Sequence, residues 1–238
     1  MKTLWCAVAL VGCLALGGSV PTFAEEDSDG TGLTRAQARK LFTACQNTAA
    51  TTPSAGFRPV TGHTIMWCAV VDREGHLLLI RATDTAEAPR RGLQSDAWRG
   101  SIEIAIAKAY TGVAFSSNEV AVTSRAIGLL ARTDFPNQGG AVGTDTGPAP
   151  LFGIGDTNPY RPLEGTRNLH PDGRRSRNHH GIVTFAGGVP VYSNPEELPN
   201  CISGGVRLGG VGVSGDGGDE DEAVAIGAIH WAGFCTGP

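Results

Sequence analysis

Ile65-Met66-Trp67-Cys68-Ala69-Val70-Val71-Asp72-Arg73-Glu74-Gly75-His76-Leu77-Leu78-Leu79-Ile80-Arg81-Ala82 is two β-rich runs on either side of a charged tetrapeptide. Gly75 stands where a tight turn needs a left-handed residue, so the stretch predicts a hairpin with strands near Ile65–Val71 and His76–Ala82. A second hairpin is expected from Ile182–Ala186, Gly187-Gly188 and Val189–Tyr192, and a lone strand from Val206–Val213. Strands joined mostly by hairpins favour an antiparallel sheet with helices packed on it, an α+β domain, over a doubly wound parallel sheet.

Four helices surround these strands in the reading. Thr34 caps the first, with Gln37 three positions on completing a capping box, and Ala38, Leu41, Phe42 and Cys45 form its apolar stripe. Trp98–Phe115 carries Ile102, Ala105, Ile106, Ala109 and Val113 at helical spacing, widened by Ile104 and Ala107, which predicts burial on most sides. Ser117-Asn118 are read as capping a third helix, Glu119–Arg132, striped by Val122, Ala126, Leu129 and Leu130. Asp219–Trp231 closes the chain. Between Thr133 and Gly181 the periodicity dissolves into Gly, Pro, Asp and Asn, a long irregular insertion over 133–180 of the kind that carries function more often than not.

The first residues predict export. Lys2, the apolar run Leu4–Leu16 and the small-x-small site ending at Ala24 form a signal peptide over 1–24, followed by a flexible acidic leader over 25–32 and a single domain over 33–238. A rival reading takes Leu10-Val11-Gly12-Cys13 as a lipoprotein box and anchors the chain through Cys13. No later stretch is long and apolar enough to span a bilayer. With 19 Lys and Arg against 23 Asp and Glu, the chain lacks the basic excess of a nucleic-acid binder.

Cys45, Cys68, Cys201 and Cys235 follow the leader, none of them in a CxxC pair, so a zinc knuckle or a thioredoxin-type pair is not suggested. In an oxidising compartment they read first as disulfides, and as buried thiols otherwise. Four cysteines allow three connectivities. The topology brings the outer ends of the last strand and the last helix together, which pairs Cys201 with Cys235 and leaves Cys45 for Cys68.

Gly210-Val211-Gly212-Val213-Ser214-Gly215 spells GxGxxG between a strand and a helix. Too little chain follows for the rest of a dinucleotide-binding half, and Asp216, Asp219, Glu220, Asp221 and Glu222 crowd the place of the pyrophosphate. The acids suit the helix dipole instead. His170, His179 and His180 share the insertion with Arg161, Arg167, Arg174, Arg175 and Arg177. Such a set can ligate iron and pair with carboxylates such as haem propionates, or simply be a solvated basic loop. Glu103 and Lys108 lie five positions apart on the apolar helix, so they are no simple ion pair; each either reaches solvent or lines a pocket. Neither a Gly-x-Ser-x-Gly elbow nor HExxH occurs.

Taken in order, Val70–Leu77, Ser101–Thr111, Gly181-Ile182-Val183, Gly187–Tyr192 and Gly209–Asp216 resemble the GlcG-like family, also called the haem-degrading or haem-binding domain family. The resemblance covers about residues 33–131 and 181–232. It implies a profilin-like, five-stranded, mainly antiparallel sheet packed with helices, assembly as a homo-oligomer, and a pocket around His76, Glu103, Lys108 and Thr111. Secreted members are associated with haem binding, so the expected ligand is haem or another tetrapyrrole. The expected place is the periplasm or the exterior. Two other functions compete: an enzyme acting on a small acid or degrading a cofactor through Glu103 or His76, and a non-catalytic oligomeric partner-binding module using the insertion.

Overall fold

The computed structural model describes residues 32–56, 64–84, 97–131, 135–136, 146–147, 151 and 181–238. The signal-peptide, lipid-anchor and leader readings therefore lie outside the described residues, except for Gly32, and so does most of the insertion. Helix α1 spans Arg35–Ala49, strand β1 Trp67–Asp72, β2 Leu77–Ala82, α2 Ser101–Ala114 and α3 Ser124–Leu130. Two short strands follow, β3 Phe135–Pro136 and β4 Thr146–Gly147, then β5 Gly188–Tyr192, β6 Arg207–Ser214 and α4 Gly218–Trp231.

Four strands form an antiparallel sheet in the order β2-β1-β6-β5. The turn after β1 is closed by Gly75 at φ +87°, and Asp72 accepts the amides of Glu74 and His76 across it at 3.0 and 2.8 Å. Strand period sorts the side chains. Cys68 and Val70 of β1, with Val211 and Val213 of β6, face α1 and α4, whereas Trp67, Ala69 and Val71 face α2. Both faces are thus covered, and the central strand β6 is buried along nearly its whole length. No helix among the described residues is long and apolar enough to cross a membrane.

The helices follow the expected stripes closely at α1 and α2. Ala38, Leu41, Phe42 and Cys45 are buried, and so are Ala105, Ile106, Ala109 and Val113. The capping box is present in full: Thr34 Oγ1 accepts the Gln37 amide at 3.2 Å and Gln37 Oε1 accepts the Thr34 amide at 2.8 Å. Thr34→Ala removes one half of it and is expected to cost about 1 kcal/mol, a drop of roughly 2–4 °C in Tm for a domain of this size, read by thermal unfolding.

Two expectations are corrected. Ile182–Ala186 is not a strand, so the sheet has four strands and the second hairpin does not exist. That segment takes its hydrogen bonds from helix side chains instead: Thr111 Oγ1 accepts the Val183 amide at 2.9 Å, and Ser124 Oγ donates to the Phe185 carbonyl at 2.7 Å. The third helix begins at Ser124 behind an N-cap at Thr123, not after Ser117-Asn118, because Ser117 Oγ closes a separate turn by accepting the amides of Glu119 and Val120. Its buried residues are Ser124 and Ile127, while Leu129 of the expected stripe is half exposed. β3 and β4 also form a small antiparallel ribbon inside the stretch read as irregular.

The disulfides pair as the topology requires. Cys45 of α1 joins Cys68 of β1 with Cα atoms 6.7 Å apart, and Cys201 joins Cys235 at 4.6 Å. Cys235 also exchanges both backbone hydrogen bonds with Tyr192, tying the C-terminal segment to the end of β5.

Candidate functional site

Lys108 sits on the apolar helix α2 with no local partner, and its side chain is completely buried. Its ammonium reaches β6 and α4, donating to Asp221 Oδ2 at 2.5 Å and to the Val213 carbonyl at 3.0 Å. The nitrogen lies 5.0 Å from the centroid of the Phe185 ring, and a Cβ added at Gly187 would stand 2.9 Å from it. The other Asp221 oxygen accepts the Asp216 amide at 3.2 Å. Burial pushes the Lys108 pKa down in spite of the adjacent carboxylate. It pushes Asp221 up to about 6, because the cost of desolvating the carboxylate outweighs the attraction of Lys108 and its hydrogen bonds.

Above this pair opens a cleft of about 410 Å³ lined by Trp98, Ser101 and Ile104 at the start of α2, by Phe185, and by Ser214, Gly215, Asp216, Gly218 and Asp221 where β6 runs into α4. Trp98 and Phe185 are 50% and 41% exposed, large flat rings that the core does not use. Phe185 is positioned by Ser124, whose hydroxyl donates to its carbonyl and accepts the Gly188 amide at 2.8 Å. Arg125 of α3 braces the adjoining turn of α4 through Asp219, at 2.5 Å, and Glu222. The cleft can take a flat, largely apolar molecule against its two rings. Among its described lining residues there is no His, Cys, Met or Tyr, and its charged members are carboxylates.

The sequence-derived site residues are not all gathered here. Lys108 is paired with Asp221 but does not itself line the cleft. Thr111 is buried further along α2, where its hydroxyl donates to the Ala107 carbonyl at 2.7 Å and holds Val183, a packing strut. Glu103 is exposed on α2. His76 lies in the β1–β2 turn with Nδ1 3.0 Å from Asp72 Oδ2, next to Gly75, which abuts the ring of Tyr110. Tyr110 is seven residues beyond Glu103, about 10 Å further along the axis of α2. Asp72, Glu74 and His76 offer ligand atoms within 4.8 Å of one another on this exposed turn. His170, His179 and His180 lie outside the described residues; the described chain resumes at Gly181, four residues before Phe185.

Asp221, Trp98 and Phe185 were not among the sequence-derived candidates. A signal existed for the first: a lysine within a run of buried apolar positions calls for an acid from elsewhere in the chain. The aromatics carry no such mark.

A family model described as haem-degrading protein HbpS-like matches residues 33–230. No curated protein matches the chain. Among solved structures, that of a PduOC:heme complex is 18% identical with a TM-score of 0.50, over 87% of this chain and 99% of that one. Klebsiella pneumoniae protein ORFY is 20% identical with a TM-score of 0.49, over 84% and 90% of the two chains. The structure of HbpS is 22% identical with a TM-score of 0.44, over 85% and 92%.

Proposed function

This chain belongs to the HbpS-like haem-degrading protein family, and on that premise we propose that it is an exported protein that binds haem or a related tetrapyrrole in the cleft above Lys108 and Asp221. The observation that carries the reading is the pair of half-exposed rings, Trp98 and Phe185, on a cleft whose other described walls are Ile104, the small residues Ser101, Ser214, Gly215 and Gly218, and the carboxylates Asp216 and Asp221. A flat macrocycle laid on them buries apolar area without displacing any core contact.

The donor set fits the ring better than the metal. None of the described lining residues is a usual iron ligand, and His170, His179 and His180 of the insertion would be the residues to hold the iron. The carboxylates Asp216 and Asp221 would repel propionates, whereas Arg99, exposed and next to Trp98 in the chain, and the arginines of the insertion carry the charge to pair with them. Bound haem supplies a redox-active iron. The chain's own part would be to hold the ring against Trp98 and Phe185 and shield that face from water. Export is supported by the signal-peptide pattern over 1–24 and by two disulfides, which suit an oxidising compartment. Assembly into a homo-oligomer is part of the same proposal. Binding is favoured over proton transfer by Glu103 or His76, because neither residue lines the cleft.

Titration of the purified mature protein with haemin tests this. A saturable, shifted Soret band is expected. Trp98→Ala/Phe185→Ala should weaken affinity by roughly 10-fold or more, at about 1 kcal/mol for each ring contact, while a His170/His179/His180 triple alanine variant should move the band itself. Absence of a saturable shift, or a shift that neither set of substitutions alters, overturns the proposal.

A further inference from the structure

A second cavity, of about 700 Å³, opens on the other side of the sheet between α1 and α4. Asn47, Thr48 and Thr51 line it from the end of α1, Gly227, His230 and Trp231 from the end of α4, and Pro199 and Asn200 from the loop before Cys201. The helices meet beside it, where a Cβ added at Gly227 would come within 2.7 Å of the Thr48 methyl. Its loop wall is fixed covalently, since Asn200 adjoins the Cys201–Cys235 disulfide and Trp231 ends the helix that leads to Cys235. Asn200 holds a left-handed backbone there, φ +50°.

The chemistry of these walls is specific. Trp231 is 68% exposed, a large ring face left outside the core. Among the described residues the carboxamides of Asn47 and Asn200 have no hydrogen-bond partner, and neither does His230 Nε2, which is buried. The hydroxyls of Thr48 and Thr51 donate to the carbonyls of Ala44, at 2.9 Å, and Thr48, at 3.0 Å, which leaves their lone pairs free to accept. Among the described residues no acid, lysine or arginine lines the cavity. An ionic ligand would find no counter-charge, and a hydrocarbon would leave the amides unmatched. A molecule that presents C–H groups on one face and hydroxyls around its edge satisfies both: a sugar ring.

We propose that this cavity binds a neutral saccharide, one ring stacked on the Trp231 indole and its hydroxyls held by the carboxamides of Asn47 and Asn200. The site is independent of the haem reading. The test is calorimetric titration of the mature protein with glucose, N-acetylglucosamine and their β-1,4-linked trimers. At least one trimer is expected to bind saturably, with Kd on the order of 1 mM or below because the site is open and shallow. Trp231→Ala should abolish that binding and Asn200→Gly, which keeps the left-handed backbone, should weaken it, with Tm and haemin binding little changed because both side chains are exposed. Failure of all four probes to bind overturns the proposal, as does binding that survives Trp231→Ala. So does a dimer, seen by sedimentation, that Trp231→Ala disperses, since the ring would then serve a second copy of the chain.

Discussion

Lys108→Met is expected to lower stability by about 3 kcal/mol or more at pH 7, the lower end of what breaking a buried ion pair costs. The Val213 carbonyl loses its side-chain donor and Asp221 loses its cation, both at buried positions. The cost stays near the lower end because Asp221, already pushed up to about 6, takes up a proton more readily still once the ammonium is gone. The sign of the pH dependence follows. In the wild type the folded state holds the Asp221 proton more tightly than the unfolded chain does, so this group's contribution is full below about pH 3.8 and lost as pH rises through 6, on the order of 3 kcal/mol in all. In Lys108→Met the same proton is held to higher pH. The penalty relative to wild type should therefore be smallest below pH 6 and grow above it. Replacing both partners, Lys108→Met/Asp221→Leu, should restore wild-type stability or exceed it. Urea unfolding from pH 5 to 8 measures all three proteins, and a single variant as stable as wild type at pH 8 would contradict the argument.

Gly212→Ala should be as damaging through one methyl group. A Cβ there would lie 2.0 Å from the Ala105 carbonyl oxygen and 2.3 Å from the Ala109 nitrogen, both in the backbone of α2. No rotamer change relieves a clash with a helix backbone, so α2 must lift off β6. The expected loss is about 3 kcal/mol or more, beyond ordinary overpacking, with a fall in soluble yield. Gly218→Ala is the control: its added Cβ would meet the Ala186 methyl at an ordinary 3.6 Å, and the urea midpoint should barely move. Equal midpoints for the two variants would show that α2 can yield. The result also bears on the GxGxxG spelling, whose glycines at 210 and 212 seat a helix here.

What the chain disclosed beforehand was local. Thr34 and Gln37 lie three residues apart and their cap is closed by themselves; Asp72–Gly75 make their own turn; the apolar positions of α1 and α2 need only a helix to face one way. The misread parts depend on distant partners. Ile182–Ala186 has the composition of a strand, but Thr111 and Ser124 engage its backbone, and no pattern within the segment announces them. Ser117 and Thr123 are equally plausible caps by type, and only the fold decides which begins a helix. At the site, Lys108 advertised a missing acid, yet Asp221 is one of five acids around the start of α4 and its neighbours point elsewhere, Asp219 and Glu222 to Arg125. Exposed aromatics such as Trp98 and Phe185 read in sequence as ordinary core material.

The strand order β2-β1-β6-β5 has a consequence for how the chain comes to be folded. Trp67 pairs with Ser214 and Asp72 with Gly209, so the hairpin nearest the N-terminus finds its partner only in the last strand. Most of the chain must be synthesised before the β1 edge can be closed and before α2 has its full seat. Such high contact order makes closure slow relative to local helix and hairpin formation. A nascent chain of this kind leaves the ribosome with its central sheet unfinished and the β1 edge open until β6 arrives.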